Sequence, residues 1–438
     1  MNCGITAIIL VFLLITGGCS AQPRSFPAGL LKKDLRELVN QLRHYHPGLY
    51  RHLSKDSLEM VFAEAEKTIT DPMTDWSYFR VISRMIAAIG CGHTQVLPSQ
   101  NMRQELGTKG YFFPCKVRFA GKEMCVQLPD RTWASVKHFN DQPVSKILEL
   151  IKTRLSSDGL SEIPRYDMLR SFWRFYAWYV EHSSPVFELD IQKPGKKTTE
   201  RIAIPAVSEK DLPAALWNTP QQPLLHFEIT GNIAYMRIGS FSTGRLHANY
   251  NRFLATSFAK LKKEGTGKLI IDIRGNAGGE DEYGALLYSY LSGSPFSYFK
   301  KVVRKTGEEI TPVPHPGLKI QAPSENHFPG QVCLLIDGLT FSTAADLAAV
   351  FKHNRRGLII GRESSGGYAG NNSGETIPFT LPNTGIVVYI PRWYYENAVS
   401  EEYPHRGVIP DIPVIYTMLD LSTDIDKERE TSEKMMRK

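Results

Sequence analysis

Two apolar segments, each running through a short turn into a helix, constrain this chain more than any other feature. Leu269-Ile-Ile-Asp-Ile273 leads into Arg-Gly-Asn-Ala-Gly-Gly279, and a helical pattern follows from about Glu280 to Leu291. Val332-Cys-Leu-Leu-Ile336 leads into Asp-Gly-Leu-Thr-Phe-Ser342, with a second helical pattern from about Thr343 to Phe351. Ile233–Ile238 precedes a helical stretch over His247–Lys263, and Leu358–Ile360 closes the series. Strands and helices that alternate at this spacing predict right-handed βαβ units, and hence an α/β layer structure.

Upstream the pattern differs. From about Ala28 to Ile89 apolar residues such as Leu31, Leu35, Leu38 and Leu42 recur at helical spacing. Ser54 or Asp56 is the expected cap of a second helix and Asp75 of a third. Between about Lys109 and Val207, alternating stretches (Cys115–Phe119, Val186–Ile191) read as strands, and Val144–Ile151 and Tyr166–Val180 as helices. The expected division is a signal segment at 1–21, a helical domain at 22–104 and a mixed α+β domain at 105–222. A β/α domain at 223–420 and a charged tail at 421–438 complete it.

Composition narrows the function classes. Hydrophobic residues at 42% and charged residues at 22% exclude a collagenous or wholly disordered chain. The formal net charge of +7 is spread thinly, without a Lys/Arg block, so no nucleic-acid partner is expected. Six cysteines include no C-x-x-C pair, which leaves no zinc signature; separately, no motif in the chain implies a metal or organic cofactor. Cys115 and Cys125 are either a hairpin disulfide or two buried thiols.

Ile5–Ile15 is almost wholly apolar, too short to span a bilayer and suited to a signal-peptide core. Two endings compete: a lipoprotein-type box with an acylated Cys19, or ordinary cleavage after Ala21. Either predicts an exported protein of a bacterial cell envelope, in the periplasm or held to a membrane by a lipid anchor.

The chemistry concentrates at strand ends. The glycine turn before Glu280 is either a plain tight turn or a set of uncovered N–H donors for an anion. Ser342, at a helix start, is either an N-cap or a nucleophile beside a helix N-terminus. The surrounding residues lack G-x-S-x-G, so an α/β-hydrolase elbow is not indicated. His93, on the Gly-flanked joint Gly90-Cys-Gly-His-Thr94, is a candidate base. The cluster of His44, His46 and His52 has no metal-ligand spacing and reads as structural.

In order along the chain, "HYHPGLY", "GCGHT", "IAYMRIGSF", "IIDIRGNAGG", "LTFSTAAD", "LIIGRESSGG" and "RGVIPDIPV" together resemble the C-terminal processing and tricorn-type serine peptidases. The resemblance implies a helical N-terminal domain, a loosely PDZ-like middle domain around "VKHFNDQPV" and a crotonase-like β/α catalytic core. It implies Ser342 as nucleophile, with Thr343 and Gly278 or Gly279 as oxyanion donors. Gly367 stands about where one branch of the family has its lysine, so the tricorn-like branch is the better match. That branch implies His93 as base and Glu402, or its neighbour Glu401, as the supporting carboxylate. It also places a serine before the histidine, where this chain has Gly92; Thr94 is the nearby hydroxyl. The implied function is hydrolysis of a polypeptide substrate, with a catalytically inactive ligand- or peptide-binding protein on the same fold as the alternative. An acyl-CoA enzyme is disfavoured by export, and an adhesion module by the catalytic-core matches.

Overall fold

The computed structural model describes residues 24–217, 223–246, 249–400 and 402–437. The signal segment, Cys19 and Glu401 lie outside the described residues, so the readings made on them stand as expectations.

Three helices open the fold: α1 (Ala28–Tyr45), α2 (Lys55–Thr68) and α3 (Asp75–Ala87). Ser54 caps α2 by accepting from the Ser57 N–H. The third cap falls one residue before the expected Asp75: the Thr74 hydroxyl accepts from Ser77 N–H, and Asp75 enters the first turn. An antiparallel sheet follows, ordered Val117–Ala120, Glu123–Gln127, Trp133–Phe139, Val186–Gln192, Glu200–Pro205. The four described downstream cysteines are all free and buried, which removes the disulfide alternative for Cys115 and Cys125.

The second half is built on a six-stranded sheet. Its strands, in spatial order, are β1 (Leu225–Thr230), β2 (Ile233–Ile238), β3 (Lys268–Asp272), β4 (Gln331–Ile336), β5 (Leu358–Gly361) and β6 (Ile412–Pro413). β1 runs antiparallel to β2, and every other pairing is parallel. Leu269 and Ile271 of β3, with Val332, Leu334 and Ile336 of β4, face one apolar core. Ile270, Cys333 and Leu335 face another. Burial on both faces explains why these strands read as unbroken apolar runs rather than as alternating ones.

Helices α4 (Tyr250–Glu264), α5 (Asp281–Ser289) and α6 (Thr343–His353) supply the first core through residues such as Phe258, Leu287 and Leu347. The opposite face is covered by the charged tail, which forms α7 (Lys427–Arg437) and buries Met436 against it. The tail therefore belongs to the sheet packing. Its Glu428 is 1% exposed and accepts from both Arg274 and Arg362.

The expected boundary at 104/105 does not separate two cores. One apolar cluster runs from Phe26 to Leu212 and takes in Leu381, Ile386, Val388 and Ile390 from the second half. Those last residues come from a hairpin whose strand Val387–Ile390 pairs with Gln95–Leu97, immediately after His93. The hairpin thus fixes the start of the chain against its end, and the joint carrying His93 lies at that seam.

Candidate active site

The first functional group sits where α3 stops. Gly90 takes a positive φ of 72°, which turns the chain out of the helix at a residue without a Cβ. His93 follows three residues later, and its ring stacks on Phe341 with centroids 4.4 Å apart. The same ring accounts for Gly92: a Cβ there would lie 2.5 Å from Phe341 Cε2. The serine found before the family's histidine has no room in this packing.

The second group sits where β4 has ended and α6 begins. Ser342 has φ 53° and ψ −134°, an unfavourable backbone for any residue with a Cβ. Its side chain makes no capping bond to α6. Ser342 therefore does not fill the N-cap role, because an N-cap keeps an extended backbone and accepts from its own helix. Ser342 Oγ lies 3.2 Å from His93 Nε2, across 249 residues of sequence. With Nε2 accepting the hydroxyl proton, the imidazole is neutral and carries its own proton on Nδ1. Burial holds His93 down to about 4, with the Asp281 carboxylate opposing that shift. The ring is therefore unprotonated, and able to accept a proton, throughout the neutral range.

The glycine turn closes the third side. A Cβ on Gly278 would meet Ser342 Cβ at 2.7 Å and Thr343 N at 3.0 Å, so only glycine lets this turn approach the serine. The Gly278 N–H itself donates to Asn276 Oδ1 at 2.8 Å, which removes it as an oxyanion donor. Gly279 bridges Phe241 in parallel, but the bonds there come from its neighbours, Gly278 C=O and Glu280 N–H. Its own N–H stays out of that ladder. Thr343 opens α6, and its N–H is among those for which a helix offers no internal acceptor. Its hydroxyl lies 2.9 Å from Gly279 C=O and 3.0 Å from Asp281 Oδ1, two acceptors that share its one proton, fastening the turn to the helix. Of the three expected donors, Thr343 and Gly279 are the two whose N–H groups are not taken by an acceptor in the turn or the helix.

Glu402 does not join this group. It is exposed, while its neighbour Tyr403 packs edge-on against Tyr368. The buried His93 Nδ1 has no hydrogen-bond partner among the described residues. The Thr94 hydroxyl is also committed elsewhere, to His46 Nε2 at 3.0 Å. His46 is fully buried, which agrees with a structural role for that histidine. Gly367, at the position of the other branch's lysine, has no side chain to offer; its N–H donates to Asp158 Oδ2 at 3.2 Å. Tyr368 and Tyr395 are buried in the core between the sheet and α6.

Two carboxylates near the site were not visible in sequence reasoning. Asp281 lies in the first turn of α5, where acidic residues are common, so its position carried no separate signal. Asp158 lies in "SSDGLS", which reads as an ordinary polar turn. Among the described residues no cluster of three or more metal-ligating side chains occurs.

Residues 232–414 match the family model described as Peptidase family S41. A protein of Sulfurisphaera tokodaii named as a tricorn-like protease C-terminal subunit is 24% identical over 245 residues. That match covers 56% of this chain but only 25% of the relative, so the chain aligns with about a quarter of that protein's length. Among solved structures, mature CPAF superposes with a TM-score of 0.67 at 16% identity, covering 93% of this chain and 96% of that one. Mature CPAF complexed with lactacystin gives 0.68 at 16% identity, covering 93% and 97%. Likeness at this level of identity shows a shared fold across nearly the whole chain.

Proposed function

We propose that this chain, whose residues 232–414 match the peptidase S41 family model, is an exported serine endopeptidase of the C-terminal processing and tricorn type, working through a Ser342–His93 pair. The observation that carries the reading is the 3.2 Å approach of His93 Nε2 to Ser342 Oγ on a strained backbone at a helix start. Packing energy is spent to hold that serine out of its relaxed conformation, which a structural cap would not need.

In this reading Ser342 Oγ attacks the carbonyl carbon of a peptide bond while His93 Nε2 takes its proton. The carbonyl oxygen becomes an oxyanion received by the N–H groups of Thr343 and Gly279, with the N-terminus of α6 behind it. Collapse of the tetrahedral species breaks the C–N bond, and His93 returns the proton to the leaving amine. Water, deprotonated by His93, then hydrolyses the acyl-enzyme and restores Ser342. The parallel six-stranded sheet with α4, α5 and α6 is read as the crotonase-like core that the family resemblance implies. Export, and a lipid anchor on Cys19 or cleavage after Ala21, follow from the apolar segment at the start of the sequence.

The test is covalent labelling with a fluorophosphonate and cleavage of unfolded casein. Ser342→Ala is expected to abolish labelling and to lower cleavage by roughly 10⁴-fold or more, with an unchanged melting curve. A Ser342→Ala protein that cleaves like its parent would remove the assignment. A parent protein that takes no label at Ser342 would favour the binding-protein alternative.

A further inference from the structure

The joint carrying His93 is held by a segment that belongs to neither half of the dyad. Residues 156–161 connect the helix Val144–Lys152 to the helix Ile163–Met168, and they thread between the His93 joint and the strand end behind Ser342. Asp158, 4% exposed, accepts the Gly92 N–H on Oδ1 at 2.8 Å and the Gly367 N–H on Oδ2 at 3.2 Å. Its own N–H donates to Ser365 C=O at 2.9 Å, and the Gly159 N–H donates to Gly90 C=O at 2.9 Å. On the other side of His93, the Ser156 hydroxyl donates to Thr94 C=O at 2.8 Å. The strand end it grips is in turn pressed on the nucleophile: a Cβ on Gly366 would lie 3.0 Å from Ser342 N.

We infer that Asp158 is a positioning residue of the proposed dyad, its two carboxylate oxygens fixing the spacing between the His93 joint and the Ser342 turn. The inference rests on the peptidase reading of that site. Each oxygen faces a backbone donor, so the clamp needs two acceptors. A proton on one oxygen, or the amide of asparagine, turns a donor against a donor and releases one side. A reacting pair already 3.2 Å apart tolerates little drift, since a displacement near 1 Å can cost on the order of 10²-fold in rate.

Charge around Asp158 supports a pH readout. Burial raises its carboxyl to about 6, against the Gly92 bond and the Arg51 guanidinium. The Cys91 thiol and the Asp346 carboxyl face it from the His93 joint and from α6, and burial raises both. His93, held lower at about 4, does not titrate near pH 6, and the Asp158→Asn comparison separates Asp158 from Asp346 there.

The experiment measures the saturable rate of fluorophosphonate labelling at Ser342 between pH 4 and pH 8, in the parent and in Asp158→Asn. For the parent we expect the maximal rate to fall as pH drops through about 6. For Asp158→Asn at neutral pH we expect a maximal rate roughly 10- to 100-fold lower, an unchanged half-saturating probe concentration, and no step near pH 6. An Asp158→Asn protein that labels at the parent's rate would overturn the inference while leaving the peptidase reading intact. So would a parent whose acid limb lies near pH 4, a result that needs no variant to fold. A parent that takes no label at all would overturn both.

Discussion

Ser342 and His93 each stand where regular structure stops. A serine between a buried strand and a helix, and a histidine between two glycine-marked breaks, are positions that packing alone does not demand. The remainder of the site was not legible, because it depends on side chains that meet only in three dimensions. Nothing in "GCGHT" announces that Phe341, 249 positions after Gly92, will lie over that glycine. The packing makes a specific prediction. Gly92→Ala forces a Cβ to within 2.5 Å of the Phe341 ring, an overpacking that costs roughly 1–3 kcal/mol. Because that ring also stacks on His93, the activity loss should exceed what the lowered stability explains. Adding Phe341→Leu should return part of the stability, and a double-mutant cycle on melting temperature and labelling rate measures the coupling. Additive effects would mean that Phe341 does not transmit the clash.

Among the elements, the strands and helices of the second half followed the sequence pattern closely, since doubly buried strands have few alternative readings. The tail read only as a charged segment at 421–438, and its packing carried no signal: α7 places those charges against cations at the strand ends of the sheet. Arg274 bonds Asp272, Asp426 and Glu428, while Arg362 bonds Asp167 and Glu428. With Met436 buried, these partners explain why so charged a helix packs, and they lie more than 60 residues upstream. Removing one charge of a buried network leaves its partners uncompensated, which costs about 3–5 kcal/mol. Glu428→Gln belongs at the lower end of that range, because Arg274 keeps two carboxylates and Arg362 keeps one. Chemical denaturation should show the loss as a lower midpoint. The network also sets an acid limit. Burial alone would raise Asp167, Asp272 and Asp426, but the adjoining arginines outweigh it and hold all three below the usual range. Depressed folded values mean that this stability is fully present above about pH 4 and is lost as pH falls through them. Detachment of α7, followed by hydrogen exchange, should therefore begin below about pH 4 and not in the neutral range.

At the scale of the whole molecule, the dyad is a product of how the two ends of the chain are joined. Ser342 belongs to the second half and His93 to the first, so their spacing depends on the shared core and on the hairpin that reaches into it. Asp34 of α1 is the polar fastening there. Fully buried, it accepts from the Asn383 N–H and amide and from the Thr384 N–H and hydroxyl, at 2.7–3.0 Å. That turn connects to the strand Val387–Ile390, which pairs Val388 with Val96, three residues after His93. Local propensity could predict α1 but not this contact, which joins residues about 350 apart. Asp34→Ala strands two backbone donors and should cost roughly 2–5 kcal/mol. Because the same fastening holds the His93 joint, loss of Ser342 labelling on heating should coincide with loss of helix in the Asp34→Ala protein, both at a lower temperature than in the parent. Labelling that outlasts the helical signal would show that the dyad stands without the seam. A dyad built from both halves should instead disappear with it.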